Sequence, residues 1–417
     1  MNEKFNKYII NGIFKRTFER RKNIFLLIIC LFFSIIIKLY FAAPSRLFEA
    51  HYIALEIVEH GTFRYMLNGS WNYNYQFPLY PILIAPGYYT GYGPQLAILL
   101  NIAFGTTAAW IVYLIGLRLN PWRNGNLAIV ASIITAFHPF LSFYQVSGVH
   151  SFALDMLLAV ALTYYSIECR IYRIRTVFYV AFLSGLILLE RPTLIFFGFP
   201  MIYSLLKRDY ARIPVKSIIV LLLPVLMISS WLLRNGIIYG KFSYISSTGQ
   251  NLWIGIQEDT EGTAQLPNGD SYYNLLSAEQ LRTLSNLGPL EMNEYFLQLY
   301  KNQLNGTVFW RMYLIKIRNF WFSRSSLGVD YGGLIPSWGY LVLRVYGLIL
   351  VIFILFSFQR RNVIIMSIFF SILSLSLIQA IFYVEMRHRF VAEPLILLLA
   401  LVQIQEMLVG DEHNRTA

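Results

Sequence analysis

Apolar runs long enough to cross a bilayer recur through this sequence, and no other feature limits its fold so tightly. A bilayer core takes roughly 20 apolar residues per helix. Candidate spans fall at about residues 24–42, 94–118, 126–143, 149–168, 176–190, 192–206, 216–234, 336–358, 363–383 and 390–408. Backbone polar groups in lipid must be satisfied within the segment itself, so runs of this length read as helices. Only 13% of the residues are charged and the mean hydropathy is +0.53. That charge fraction is about half the usual share in a soluble domain. The expected fold class is therefore an all-α polytopic membrane protein with about ten transmembrane helices.

Basic residues orient these spans, because short cytoplasmic loops carry an excess of Lys and Arg. The leader holds Lys4, Lys7, Lys15, Arg16, Arg20, Arg21 and Lys22. Alternate loops hold Arg118 and Arg123; Arg170, Arg173 and Arg175; Lys207, Arg208, Arg212 and Lys216; and Arg360 and Arg361. All fall on one side if both termini are cytoplasmic. The net charge of +12 is thus a topology signal, and a nucleic-acid role is unnecessary. The expected organisation is a basic leader over 1–23, a membrane module over 24–234 with its first outer loop at 43–93, an outer segment over 235–335, a second membrane module over 336–408 and a tail over 409–417. No cleavable signal peptide is expected, since the first apolar run follows a long basic leader and runs on too far. The run Leu79–Tyr89, interrupted by Pro86 and Gly87, reads as re-entrant or interfacial.

The first outer loop is the most informative stretch. Ala50, Ile53, Ala54, Ile57 and Val58 make one apolar stripe at helical spacing, with Glu49, Tyr52, Glu56 and Glu59 opposite. A helix over Arg46–His60 is expected at the membrane surface, ended by Gly61. An aromatic tract (Phe63, Tyr65, Trp71, Tyr73, Tyr75, Phe77) and two prolines, Pro78 and Pro81, turn the chain back. The plainer reading is an interfacial helix with solvated acids. The long segment from Asn235 to Ile335 holds too few apolar residues between Gly255 and Leu275 for a large independent core, so it is expected to pack on this cap.

Charged residues near lipid are costly and often functional. Here they gather at the outer ends of the spans: Glu190, Arg191, Arg234, Glu385, Arg387, His388 and Arg389, with Asp155 about a turn inside the fourth span. Converging arginines suit an anionic ligand, since a guanidinium grips phosphate through two parallel hydrogen bonds. The bland alternative is a set of structural pairs: Glu190 with Arg191, Glu385 with Arg387, and Asp155 with Lys38. No P-loop, dinucleotide glycine pattern or zinc-type spacing is present. Asp259-Thr260-Glu261 resembles an acidic metal triad but lies on the wrong side for a cytoplasmic nucleotide sugar, and reads as a loop. Sequons at Asn68 and Asn305 are of a kind common by chance.

Four segments together resemble the dolichyl-phosphate-mannose-protein mannosyltransferase superfamily, glycosyltransferase family 39, with bacterial relatives that include the lipid A aminoarabinose transferases. The first comprises Glu49, Tyr52, Ala54, Gly61-Thr62-Phe63 and Pro78-Leu79-Tyr80-Pro81. The second is Leu189-Glu190-Arg191-Pro192. The third is Trp231-Leu232-Leu233-Arg234-Asn235 with Gly249-Gln250-Asn251-Leu252-Trp253-Ile254-Gly255. The fourth is Glu385-Met386-Arg387-His388-Arg389-Phe390 with Pro394. The chain departs from the pattern at Phe48, where the family usually has Asp, and at Ile256, where it has Asn.

The resemblance implies a GT-C membrane fold with an extracytoplasmic cap, in a bacterial cytoplasmic membrane. It implies transfer of a sugar, with inversion, from a polyprenyl-phosphate donor to an acceptor hydroxyl on a protein, lipid or glycan, with no cofactor and no metal. Glu49 is the expected base, and Arg387, Arg389, Arg191 and Arg234 the expected phosphate ligands. Tyr52, His51, Asn251, Trp253 and Tyr80 are the expected acceptor or sugar contacts. The rival readings are an inactive scaffold, which the Phe48 departure favours, a lipid-linked sugar transporter, and an envelope-polymer ligase.

Overall fold

The computed structural model describes residues 2–67, 69–119, 125–169, 173–201, 218, 220–266, 268, 270–322, 344–352, 355, 362–385 and 387–415. The expected span at 336–358 lies largely outside these residues. So do Arg123, Arg170, Lys207, Arg208, Arg212, Lys216, Arg360 and Arg361 of the basic loops, and Asn68 of the first sequon.

Helices form nearly all of the regular structure. α1 (Asn2–Tyr40) turns a stripe inward at Leu27, Leu31, Ser34 and Lys38, spaced as one helix face. Phe25, Phe32, Phe33 and Ile36 stay exposed on its other side. α4 (Gly93–Leu119) is the central element, packed against α3 (Leu79–Tyr89), α5 (Asn126–Phe137) and α7 (Phe152–Glu168). Small residues allow this closeness: a Cβ on Gly105 would stand 2.2 Å from the Gln145 amide of α6 (Pro139–Ser147).

Among the described residues, two helices are long and apolar enough to cross a membrane, Arg21–Tyr40 and Gly93–Leu119. The pair α5 and α6 qualifies as a third only as one span bent by 44°. His138 and Pro139 cause that bend, since proline has no N–H to give the preceding turn. The other apolar helices are shorter, including α8 (Ile174–Leu188), α9 (Leu223–Tyr239) and α14 (Val363–Gln379). The expected run at 192–206 opens instead as a 3-10 helix over Pro192–Gly198. Hydropathy placed the apolar runs, but ten full-length spans are not seen among the described residues.

In the segment expected as the first outer loop, α2 (Glu49–His60) starts three residues later than expected. Arg46 and Leu47 (β1) are instead drawn into a two-residue parallel pairing with Gly148 and Val149 (β4). The stripe faces the core as expected: Ala50, Ile53 and Ala54 are buried, and Ile57 and Val58 pack on the main cluster. Gly61 ends the helix in the left-handed conformation at φ 64°, its N–H returned to Glu56 and Ile57 carbonyls.

Beyond α9 the chain builds a smaller outer layer. α10 (Thr248–Ile254) packs on α12 (Pro289–Gln303), and Trp253, Ile254, Leu284, Met292 and Phe296 form a separate cluster that Leu67 of the cap also touches. α11 (Ala278–Ser285) and α13 (Gly306–Phe322) complete this layer. Asn305 caps α13, its Oδ1 accepting from the Val308 N–H at 2.9 Å.

Candidate functional site

A cleft of about 530 Å³ lies where the segment of α2 and its aromatic tract meets the ends of α7 and α8. Three separated stretches furnish its charged wall: Glu49 at the start of α2, Asp155 to Arg191 across α7 and α8, and Glu385 to Arg387 before α16 (Glu393–Arg415). Local geometry explains each. Phe48 stands at the N-cap of α2 in extended conformation, so Glu49 falls in the first turn at the positive end of the helix. Among the described residues Glu49 forms no ion pair, and its Oε2 accepts from Gln76 Nε2 at 3.2 Å. Tyr75 also lines the cleft, and burial together with the nearby Glu49 carboxylate keeps its hydroxyl protonated.

Arg191 sits in the turn after α8, whose end is held by the Tyr244 hydroxyl donating to the Leu188 carbonyl. Its Nη1 meets Asp155 Oδ2 at 2.9 Å. The Asp155 side chain is buried, and its Oδ1 has no hydrogen-bond partner among the described residues. Glu190 lines the same cleft and accepts from the Tyr80 N–H at 2.8 Å, fixing the start of α3. Arg387 pairs with Glu385. The guanidinium carbons of Arg191 and Arg387 stand 5.9 Å and 5.7 Å from the centre of the same Phe152 ring. His150 stacks on that ring at 3.8 Å. His388 lies beneath, pushed well below its ordinary pKa by burial and by the Arg191 and Arg387 charges. It is therefore neutral, as its Nδ1 must be to accept from the Glu385 N–H at 3.2 Å.

Of the residues expected from sequence, Glu49, Arg191, Arg387, Asn251 and Tyr80 line this cleft. Tyr80 is nearly closed off, its hydroxyl donating to Asn101 Oδ1 at 3.1 Å. Five others stand elsewhere. Arg389 is wholly buried, with Nε on Glu393 Oε2 at 2.9 Å and Nη1 on the Trp321 carbonyl. The reason is backbone form: an extended turn at 387–389 would aim both arginines at one phosphate, but Arg387–Phe390 is a helical turn (α15), which separates alternate residues by roughly 200°. Arg234 serves the cap, donating to the carbonyls of Tyr73 and Phe63 (2.9 Å for the latter) and lying between the Phe63 and Trp231 rings. Trp253 is buried against Phe296 at 5.4 Å. Tyr52 faces outward, 47% exposed. His51 bonds the Tyr88 hydroxyl at 2.6 Å.

The pairings expected as bland alternatives divide. Glu385 does pair with Arg387, whereas Asp155 joins Arg191 rather than Lys38, and Glu190 holds a backbone N–H. Sequence reasoning gave no role to His150, Ser151, Gln76 or Tyr383, all of which line the cleft. Only their neighbourhood to motif residues could have flagged them. Of the Asp259-Thr260-Glu261 stretch, none lines the cleft, and Glu261 pairs with Arg318 at 2.8 Å.

No known family's sequence pattern matches this chain, and no curated protein matches it by sequence. Among solved structures, the chain is similar to the apo crystal structure of ArnT from Cupriavidus metallidurans, at 13% identity over 91% of this chain and 76% of that one, with a TM-score of 0.40. Such an overlay is too loose to assign a role to any residue.

Proposed function

We propose that this protein is a membrane glycosyltransferase that moves a sugar from a polyprenyl-phosphate donor to an acceptor hydroxyl on the outer face of a bacterial cytoplasmic membrane. The observation that carries the reading is the convergence of two arginines from distant motifs on one Phe152 ring, in the cleft that also holds the carboxylate of Glu49. Glu49 takes the proton of the acceptor hydroxyl as its oxygen bonds the anomeric carbon. The bond from that carbon to the donor phosphate breaks, and the electron pair leaves on the phosphate oxygen. Arg191 and Arg387 neutralise this developing charge from fixed positions, which is where such groups contribute most. Attack opposite the leaving phosphate inverts the anomeric centre. Arg389 and Arg234 drop out of the phosphate grip and hold the framework instead.

The Glu49→Gln variant tests this. A cell lacking the protein and carrying Glu49→Gln is expected to accumulate the lipid-linked sugar and to lose its product among envelope glycans, both read by mass spectrometry. A base is typically worth about 100- to 10,000-fold, so turnover falls at least about a hundredfold while donor binding survives. Wild-type glycans from Glu49→Gln would remove the base. Unchanged lipids and glycans in cells without the protein would favour a scaffold, the role that Phe48 in the cleft beside His150, ring centres 5.0 Å apart, suits best.

A further inference from the structure

A second cavity, of about 410 Å³, opens between α1 and the bent pair α5–α6. Its walls are mostly apolar, with Ile37, Phe41, Phe137, Phe143 and Val146 around it. One cation lines it. Lys38 is 3% exposed, and its Nζ has no hydrogen-bond partner among the described residues. The acid expected to pair with it, Asp155, is engaged by Arg191. Nor do the serines of the cavity wall serve it. Ser34 Oγ donates to the Ala136 carbonyl at 2.8 Å, at the end of α5 where the bend interrupts the helix, and Ser147 Oγ donates back to the Phe143 carbonyl of its own helix at 2.7 Å.

An ammonium has three protons to donate and no lone pair, and a buried cation without a partner is strongly disfavoured. The space beside it is of the size of small-molecule pockets. Whatever fills it must bring anionic oxygen to Lys38 and hydrocarbon to the phenylalanines. We infer that the cavity between α1 and α5–α6 is a binding site for an anionic lipid, with its phosphate on Lys38 and its chain along Phe41, Phe137 and Phe143. The outer flank supports lateral entry, since Ile36, Tyr40 and Phe41 present exposed apolar surface beside the opening. The site stands apart from the cleft and does not rest on the sugar-transfer reading. Two lipid sources share this chemistry: a two-chain membrane phospholipid and a single-chain prenyl phosphate.

The test uses the full chain in an uncharged detergent, with phosphatidylglycerol, farnesyl phosphate, phosphatidylcholine and inorganic phosphate as separate probes. Bound probe is counted by native mass spectrometry, and thermal midpoints are followed in parallel. Wild type and Lys38→Arg are expected to hold at least one of the two anionic lipids and to melt higher with it. Inorganic phosphate alone gives no such rise. In Lys38→Met that affinity falls about tenfold or more, the scale of a lost charge-assisted contact. Without probe, Lys38→Met melts at or above wild type, because it exchanges an unpaired buried cation for an apolar chain. Val146→Trp, which fills the cavity and leaves Lys38 in place, weakens binding as well. Preference for phosphatidylglycerol identifies a membrane lipid as the occupant, and preference for farnesyl phosphate identifies a prenyl carrier. Equal affinity of wild type and Lys38→Met for both anionic lipids overturns the inference, as does failure of either to bind wild type.

Discussion

Arg387 and Arg389 are two residues apart and lead different lives. Arg387 lines the cleft in the company of Glu385 and, across the Phe152 ring, Arg191. Arg389 is shut in a dry cluster with Glu393, the Trp321 carbonyl and the Tyr346 ring, and Glu393 in turn faces His138 at 4.0 Å. The same side chain thus lines a cleft in one place and bolts helices together in the other. The lesson is that a motif of arginines counts only once its backbone form is known. A strand or a helix over the same four residues hands different charges to the cleft.

Removing the bolt should have the largest effect. Arg389→Ala leaves Glu393 buried without its partner, and breaking such a pair costs about 3–5 kcal/mol. The expected outcome is a large drop in thermal midpoint or loss of folded protein on gel filtration. Arg389→Met with Glu393→Leu removes both charges and should recover most of that loss. If Arg389→Ala instead melts as wild type and fails only in donor binding, the two arginines are not different in kind.

Next in size are the cleft arginines. Arg387→Ala and Arg191→Ala should each weaken donor binding by about tenfold to a hundredfold, as for a lost hydrogen bond to a charged group. Each should also lower the thermal midpoint, since buried Glu385 or Asp155 then loses its partner. Titration calorimetry or a filter assay with labelled donor reads this directly. Lysine keeps charge but loses the planar two-point grip, so Arg387→Lys should fall between wild type and Arg387→Ala. Because Glu385 competes for the same guanidinium, Glu385→Gln should tighten phosphate binding by a few-fold, about the worth of a partly exposed pair.

The smallest effect sharpens the contrast with another buried cation. Lys316 on α13 is 1% exposed, its Nζ donates to the Ile381 carbonyl at 3.3 Å, and burial lowers its pKa from 10.5 to about 7. Between those two values the unfolded chain holds the proton and the folded chain does not. Stability therefore rises with pH across this window, by at most about 1.4 kcal/mol per unit. Thermal midpoints measured from pH 7 to 10 should climb in wild type and lie flatter in Lys316→Met. A flat curve over that range, no different from Lys316→Met, would mean the folded lysine keeps its proton.

The stripe of α2 and its Gly61 stop were legible because both follow from spacing and backbone freedom within a dozen residues. That Glu49, Arg191 and Arg387 come to line one cleft was legible because their motifs sit at the ends of apolar runs, where the chain must turn. Arg234 and Trp253 lay in an equally good motif, yet Arg234 clamps the aromatic tract and Trp253 fills the outer cluster. Nothing within their own segment tells a clamp from a ligand, since that depends on where Phe63, Tyr73 and Phe296 arrive. Pairing of Asp155 with Arg191 rather than Lys38 was illegible for the same reason: helix packing decides it, and α7 presents Asp155 toward α8. Prolines such as Pro139 and Pro192 cut runs that look continuous by hydropathy alone, so the described residues do not show the full count of spans.

The two-residue pairing of Arg46–Leu47 with Gly148–Val149 has a bearing on how the protein comes into being. It ties the strand leading into Glu49 to a segment that a ribosome makes roughly a hundred residues later, and Ser45 adds a hydrogen bond to Ser147 at 3.4 Å across the same gap. A Cβ on Gly148 would stand 3.2 Å from the Phe48 ring, so the later segment also has to be slender to dock. Contacts this far apart in sequence form slowly, since the intervening loop must close first. During biosynthesis the acid of α2 therefore waits, displayed on an unfinished surface, until α4 to α6 have been delivered and packed. A nascent chain halted before Gly148 would carry the motif of the cleft without its shape.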